Sequence, residues 1–135
     1  MLHIVQQSIP FAASPDALYA MYLDPQQHAQ ITGSPLVRID ASVGADFWAF
    51  DGRIHGRILA LTPGRQIVQS WRSFEWRDAD PDATLILDFQ ADHGGALLEM
   101  AQVNVPDHLY ETLKANWAMR YWDPWKAYLA RSRIG

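Results

Sequence analysis

The stretch FDGRIHGR, Phe50 to Arg57, decides how the middle of this chain is read. Two glycines and two arginines surround a histidine there, a composition shared by phosphate cradles, catalytic loops and tight turns between strands. Asp51-Gly52 is a strong two-residue turn signal, because both central positions of a type I′ turn take positive φ. Counting outward from that turn sets a register: Phe50 faces Arg53, Ala49 faces Ile54, Trp48 faces His55, Phe47 faces Gly56 and Asp46 faces Arg57. One face of the hairpin then carries Asp46 with Arg57, Trp48 with His55 and Phe50 with Arg53. The other is apolar and carries Phe47, Ala49, Ile54 and Gly56, continuing to Ile58 and Ala60. Gly56 is expected to leave room for the ring of Phe47 across the strand pair. A phosphate-binding glycine loop opens a helix, whereas this one lies between strands, so the phosphate reading is rejected.

On the N-terminal side, Leu2 to Ile9 reads as a first strand. Ser14-Pro15-Asp16 supplies an N-cap, a proline at the first helical position and an acidic first turn, and Asp24-Pro25 repeats the start signal. Two short helices are therefore expected in succession, ended by Gly33-Ser34-Pro35. From Leu36 to Val105 apolar residues alternate or run continuously, broken at Asp51-Gly52, Thr62-Pro63-Gly64, Asp78 to Pro81 and His93-Gly94-Gly95. That pattern predicts an antiparallel meander of about six strands. After Pro106 helical spacing returns for the rest of the chain. The order is that of an α+β fold.

The last helix is the most unusual segment. At about 100° per residue, Tyr110, Leu113, Trp117, Tyr121, Trp125 and Tyr128 fall on one stripe, with Thr112, Met119, Asp123, Lys126 and Ala130 largely opposite. Two readings of the stripe stand together. A long helix crossing a curved sheet buries aromatic rings as core; alternatively, tyrosine and tryptophan line a cavity for an amphipathic guest. Pro124 lies inside the pattern, removes one backbone donor and is expected to kink or interrupt the helix near Asp123.

Composition narrows the function classes. The 135 residues are 49% hydrophobic, 12% aromatic and 19% charged, with a net charge of −4, as expected of one globular domain without a linker and without a polyanionic partner. Nucleic acid is not an expected ligand. There is no cysteine, so disulfides, thiolate nucleophiles and thiolate metal sites are excluded together. The N-terminus runs straight into strand-like sequence with no export signal, and no apolar run approaches the roughly 18 to 20 residues of a membrane span. A cytoplasmic location is expected. His3, His28, His55, His93 and His108 are scattered singly, with no zinc-binding His pair and no serine elbow, so neither a catalytic set nor a metal nor a cofactor is expected. Asp88 and Glu99, on adjacent predicted strands, are expected on the outer sheet surface, paired with arginines such as Arg57 or Arg72.

Further residues carry a resemblance. Gly44-Ala45-Asp46-Phe47, Phe50-Asp51-Gly52 with Ile54 and Gly56, Leu59 to Pro63, and Arg65 with Ile67 to Arg72 are similar to the activator of heat-shock protein 90 ATPase homologue family. So is the ending, Trp117 with Tyr121-Trp122-Asp123-Pro124-Trp125 and Tyr128. The similarity spans nearly the whole chain. It implies the START-like helix-grip fold: a curved antiparallel sheet of about six to seven strands around a long C-terminal helix, two short helices after the first strand, and often an apolar cavity between sheet and helix. It also implies that the motif residues are mostly fold determinants. The resemblance further implies that the eukaryotic co-chaperone after which the family is named matches these 135 residues only in its C-terminal domain, so no counterpart of its N-terminal chaperone-binding domain is expected.

The first expectation for function is therefore non-enzymatic binding of a hydrophobic or aromatic small molecule. Phe47, Ile58, Trp71, Leu87, Phe89, Met100, Trp117 and Tyr121 are the candidate lining residues, Trp71 by its parity with Ile67. The alternative is a chaperone-associated interaction module, for which exposed Trp48, Trp76 and Trp122 would matter. A cyclase- or aromatase-type enzyme, as among distant START-like relatives, ranks third. The sequence leaves monomer and homodimer open.

Overall fold

The computed structural model describes residues 1–134. Strand β1 (Leu2–Phe11) is followed by helices α1 (Pro15–Leu23) and α2 (Pro25–Thr32). Strands β2 (Asp46–Ala49), β3 (Ile54–Thr62), β4 (Gln66–Ser73), β5 (Ala83–Asp92) and β6 (Gly95–Pro106) come next. The chain ends in α3 (Tyr110–Trp117) and α4 (Asp123–Ile134), joined by a π-helical turn over Ala118–Trp122. The local signals act as their chemistry requires. Ser14 accepts a hydrogen bond from the Ala17 amide, Asp24 accepts from the Gln26 and Gln27 amides, and Gly33 ends α2 at a φ of 73°. Among the described residues no helix is long and apolar enough to cross a membrane.

The six strands form one antiparallel sheet in the order β1-β6-β5-β4-β3-β2, curved around the C-terminal helices in the helix-grip arrangement. Alternation along β4, β5 and β6 sends Ile67, Leu85, Leu87, Phe89, Leu98 and Met100 into the concave face, all buried. Trp117, Tyr121 and Trp125 meet them from the helical side and are also buried. The meander after α2 holds five strands instead of about six, because the segment between Leu36 and Ala45 forms no strand: it makes an isolated bridge from Arg38 to Trp48 and backbone bonds of Gly44 and Ala45 with Ile58.

The β2–β3 hairpin pairs Asp46 with Arg57, Phe47 with Gly56, Trp48 with His55 and Ala49 with Ile54, the register obtained by counting from the turn. Three details differ from expectation. Phe50 and Arg53 do not pair as strand residues; Phe50, Asp51 and Gly52 all take positive φ, at 52°, 59° and 82°, and the Arg53 amide donates to the Phe50 carbonyl. An irregularity between Ile58 and Ala60 flips the parity of β3, so Ala60 is exposed, not inward. Finally, the neighbour that excludes a side chain at Gly56 is the Ser70 carbonyl of β4, which would lie 1.9 Å from a Cβ, and not the Phe47 ring.

The charged pairs also differ. Asp88 and Glu99 do stand opposite each other on β5 and β6, but Asp88 accepts from Gln66 and Glu99 from Ser8. The arginines are engaged elsewhere: Arg57 lies 3.7 Å from Asp46 and Arg72 lies 3.0 Å from Asp82. Cross-strand neighbours on the same face took precedence over longer reaches. Trp76 and Trp122, expected at the surface, are buried. The Trp76 indole donates to the Pro81 carbonyl and that of Trp122 to Gln7 of β1, while Trp48 is half-buried beneath Arg38.

Candidate functional site

The π turn follows from Pro124. A proline at this position has no amide for the Arg120 carbonyl, and the ladder shifts by one residue, with the Asp123 amide donating to the Ala118 carbonyl. The extra residue brings side chains five apart over one another. Trp117 and Trp122 stack with centroids 5.3 Å apart and planes 15° from parallel, which is why Trp122 is buried although it lies off the simple helical stripe. The interruption expected near Asp123 is thus a widened turn just before it.

A cavity of about 530 Å³ lies beside this turn, at the end of the sheet nearest the β2–β3 hairpin. The α2–β2 connection, the hairpin turn, the end of β4 with Phe74 and Glu75, and the faces of α3 and the π turn enclose it. Of the eight residues named from the sequence, Trp71, Trp117 and Tyr121 line it. Phe47, Ile58, Leu87, Phe89 and Met100 sit elsewhere, in the packed interior of the sheet–helix sandwich. The sequence reading identified the inward face but not which end of it stays unfilled.

Phe50 is the lining residue that the hairpin count misplaced. Its left-handed backbone turns the ring toward the helix, edge-on to Tyr121 at 5.9 Å. Such a conformation is costly for an aromatic residue and persists where neighbours enforce it. Here Ser34 does so, its hydroxyl accepting from the Phe50 amide at 3.0 Å and donating to the Leu36 carbonyl at 3.2 Å. Ser34, Asn116, Arg53 and Arg120 also line the cavity and escaped the sequence reading, which sought apolar and aromatic residues.

Behind the aromatic wall lies a buried polar network. His28 Nδ1 is 2.7 Å from the Tyr22 carbonyl, so this nitrogen carries the proton, and Nε2 accepts from the Tyr121 hydroxyl at 2.9 Å. The Tyr22 hydroxyl donates to Gln69, which is fully buried. Burial lowers the His28 imidazole from its ordinary 6.5 to about 4, against a smaller opposing effect of the Tyr22 carbonyl. Burial raises both tyrosines, with Tyr121 adding to the effect on Tyr22. At neutral pH all three are uncharged, and the network fixes the Tyr121 ring in the cavity wall. The same assignment makes stability depend on pH. A depressed histidine contributes fully above its unfolded value of 6.5, and the contribution is lost as pH falls toward 4. Over that window the protein is expected to lose about 3 kcal/mol of stability, measured by denaturant unfolding, and His28→Gln should remove most of that slope.

Among the described residues the buried side-chain N and O atoms left without a partner are N–H groups. The Trp117 indole donates to Gln102 Oε1 at 2.8 Å, whereas the Trp71 and Trp125 indole N–H groups and the Gln102 amide nitrogen have no acceptor. Among the described residues no cluster of His, Cys, Asp or Glu could hold a metal ion.

The family model described as Activator of Hsp90 ATPase homolog 1-like protein matches residues 12–130. The chain belongs to this family. Among curated relatives, activator of 90 kDa heat shock protein ATPase homolog 2 from Mus musculus is 28% identical over 88% of this chain and 35% of its own length. Homolog 1 from Homo sapiens is 27% identical over 84% of this chain and 33% of its own length. This member of the Activator of Hsp90 ATPase homolog 1-like family thus spans about a third of the length of those relatives. A solved structure described as an HSP90 activator from Plasmodium falciparum superposes with a TM-score of 0.86 at 20% identity, covering 94% of this chain and 96% of that one. That likeness is one of fold.

Proposed function

We propose that this chain is a binding module that takes a small aromatic or amphipathic guest in the cavity beside the π turn. The observation that carries the reading is the cavity itself: about 530 Å³ walled by Phe50, Trp71, Trp117 and Tyr121, with polar side chains at its mouth. Apolar walls with a few convergent polar groups are the usual make-up of small-molecule sites. Three supports hold the wall in shape before any guest arrives: the Ser34 strap on Phe50, the His28 bond to Tyr121 and the Gln102 bond to Trp117. Binding to a pre-formed wall costs little ordering entropy. The candidate lining role of Phe47, Ile58, Leu87, Phe89 and Met100 becomes that of packing beneath the wall.

The test is a titration of the purified chain with a neutral, environment-sensitive naphthalene dye. One saturable site is expected, and Asn116→Trp, which fills the cavity from α3, is expected to abolish it while leaving the melting temperature close to that of the parent. Non-saturable fluorescence, or equal binding by parent and filled variant, contradicts the reading.

A second reading is favoured by the curated relatives, which are described as activators of heat shock protein ATPase. In it the chain works as a chaperone-associated interaction module. The burial of Trp76 and Trp122 removes most of the exposed tryptophan surface first considered for it, leaving Phe74 as a large apolar side chain that lines the cavity and is open to solvent. A several-fold rise in ATP turnover on adding the chain to the cognate heat-shock protein 90 would rank this reading first.

A further inference from the structure

The cavity mouth carries two guanidinium groups whose hydrogen-bonding capacity is unused. Arg53 lies over the Phe74 ring at 5.8 Å and Arg120 over the Phe50 ring at 5.8 Å, and all four residues line the cavity. Among the described residues neither guanidinium forms an ion pair or a side-chain hydrogen bond. Each guanidinium carbon rests over an aromatic ring and its N–H groups are not taken by a described side chain, so both are available to a carboxylate, which arginine can receive with two parallel bonds. Asp51 and Glu75 also line the mouth; both are exposed, and neither pairs with these arginines. They stay solvated, without a ring or partner to hold them.

An ammonium-bearing guest would meet two guanidinium groups at the mouth, with the Asp51 and Glu75 carboxylates as its counter-charges among the lining residues.

We infer that the cavity selects aromatic acids: the ring system packs among Trp71, Trp117 and Tyr121, and the carboxylate is held at the mouth by Arg120 and Arg53. The inference rests on the binding reading above and adds the charge of the guest. It is tested with three probes that share one ring system, 2-naphthoate, 2-naphthylmethanol and 2-naphthylmethylammonium, titrated calorimetrically into the full chain. The carboxylate should bind about tenfold more tightly than the alcohol, a difference of about 1.4 kcal/mol, and the ammonium more weakly than either. Arg120→Gln should erase the advantage of the carboxylate over the alcohol, so that the two bind the variant with similar affinity. Arg53→Gln serves as the second variant, and both should melt near the parent, since both arginines are exposed. Raising salt should weaken the carboxylate alone. Equal affinity for carboxylate and alcohol, or a preference for the ammonium, overturns the assignment of charge and leaves the cavity reading standing. Failure of all three probes to bind overturns both.

Discussion

Replacing Trp117 by alanine is expected to cost about 3 to 5 kcal/mol of folding stability, the range for removing a large buried aromatic residue. The side chain is only 4% exposed and packs on Tyr121 at 5.1 Å, Trp122 at 5.3 Å and Trp71 at 5.8 Å. Two effects oppose each other. The cavity already leaves one flank of the ring without neighbours, which lowers the packing loss. Against that, deletion strips Gln102 of its one side-chain partner in a fully buried position, adding the desolvation cost of an orphaned amide. The second effect keeps the total within the range. Trp117→Phe should be milder, at about 2 kcal/mol, because it keeps one stacked ring while losing the N–H and the volume of the second ring. Chemical denaturation of both variants checks the result. A loss under about 1 kcal/mol for the alanine variant would mean that the helix is not gripped through this residue.

Gly56→Val should be destabilising by about 3 kcal/mol, the upper end of overpacking effects, because the added Cβ would sit 1.9 Å from the Ser70 carbonyl oxygen. The clash is with backbone, so no rotamer change relieves it. The strands β3 and β4 must part locally, and the bond from the Arg57 amide to the Ser70 hydroxyl at 2.9 Å is the first to go. The neighbouring Arg57→Ala is the control. Its pair with Asp46 is exposed on both sides, so its loss should stay within about 0.5 kcal/mol. Similar unfolding midpoints for the two variants would contradict the close approach of β4 to Gly56.

What could be read from the sequence followed from short-range rules. Ser14-Pro15 and Asp24-Pro25 act through their own side chains and rings, so the two helix starts needed no tertiary information. The hairpin register followed from Asp51-Gly52 and simple counting, and the family resemblance supplied the gripping arrangement that local signals could not. The failures share one cause, which is choice among neighbours in space. Gly56 is shaped by β4 and not by the partner in its own hairpin, and the parity of β3 changes at an irregularity that no period-two pattern shows. Trp122 looked solvent-facing on a regular helix, but one π turn moves it inward. Phe50 carries a backbone conformation rare for its residue type and sustained by Ser34, sixteen residues earlier in the chain. Gln69 and Gln102 carried an unused signal: each is a polar residue at an inward position between apolar ones, and both anchor aromatic side chains behind the cavity.

The most direct test of the proposed site is to follow the indole N–H resonances of the six tryptophans by NMR while a neutral naphthalene guest is added to the labelled chain. Trp71 and Trp117 line the cavity, whereas Trp125 packs against Phe11 and Tyr22 and Trp48 lies under Arg38. Saturable shifts of the Trp71 and Trp117 resonances, with those of Trp125 and Trp48 unmoved, are the expected result. Shifts centred on Trp125, or no saturable shift of any indole, would contradict a guest site beside the π turn.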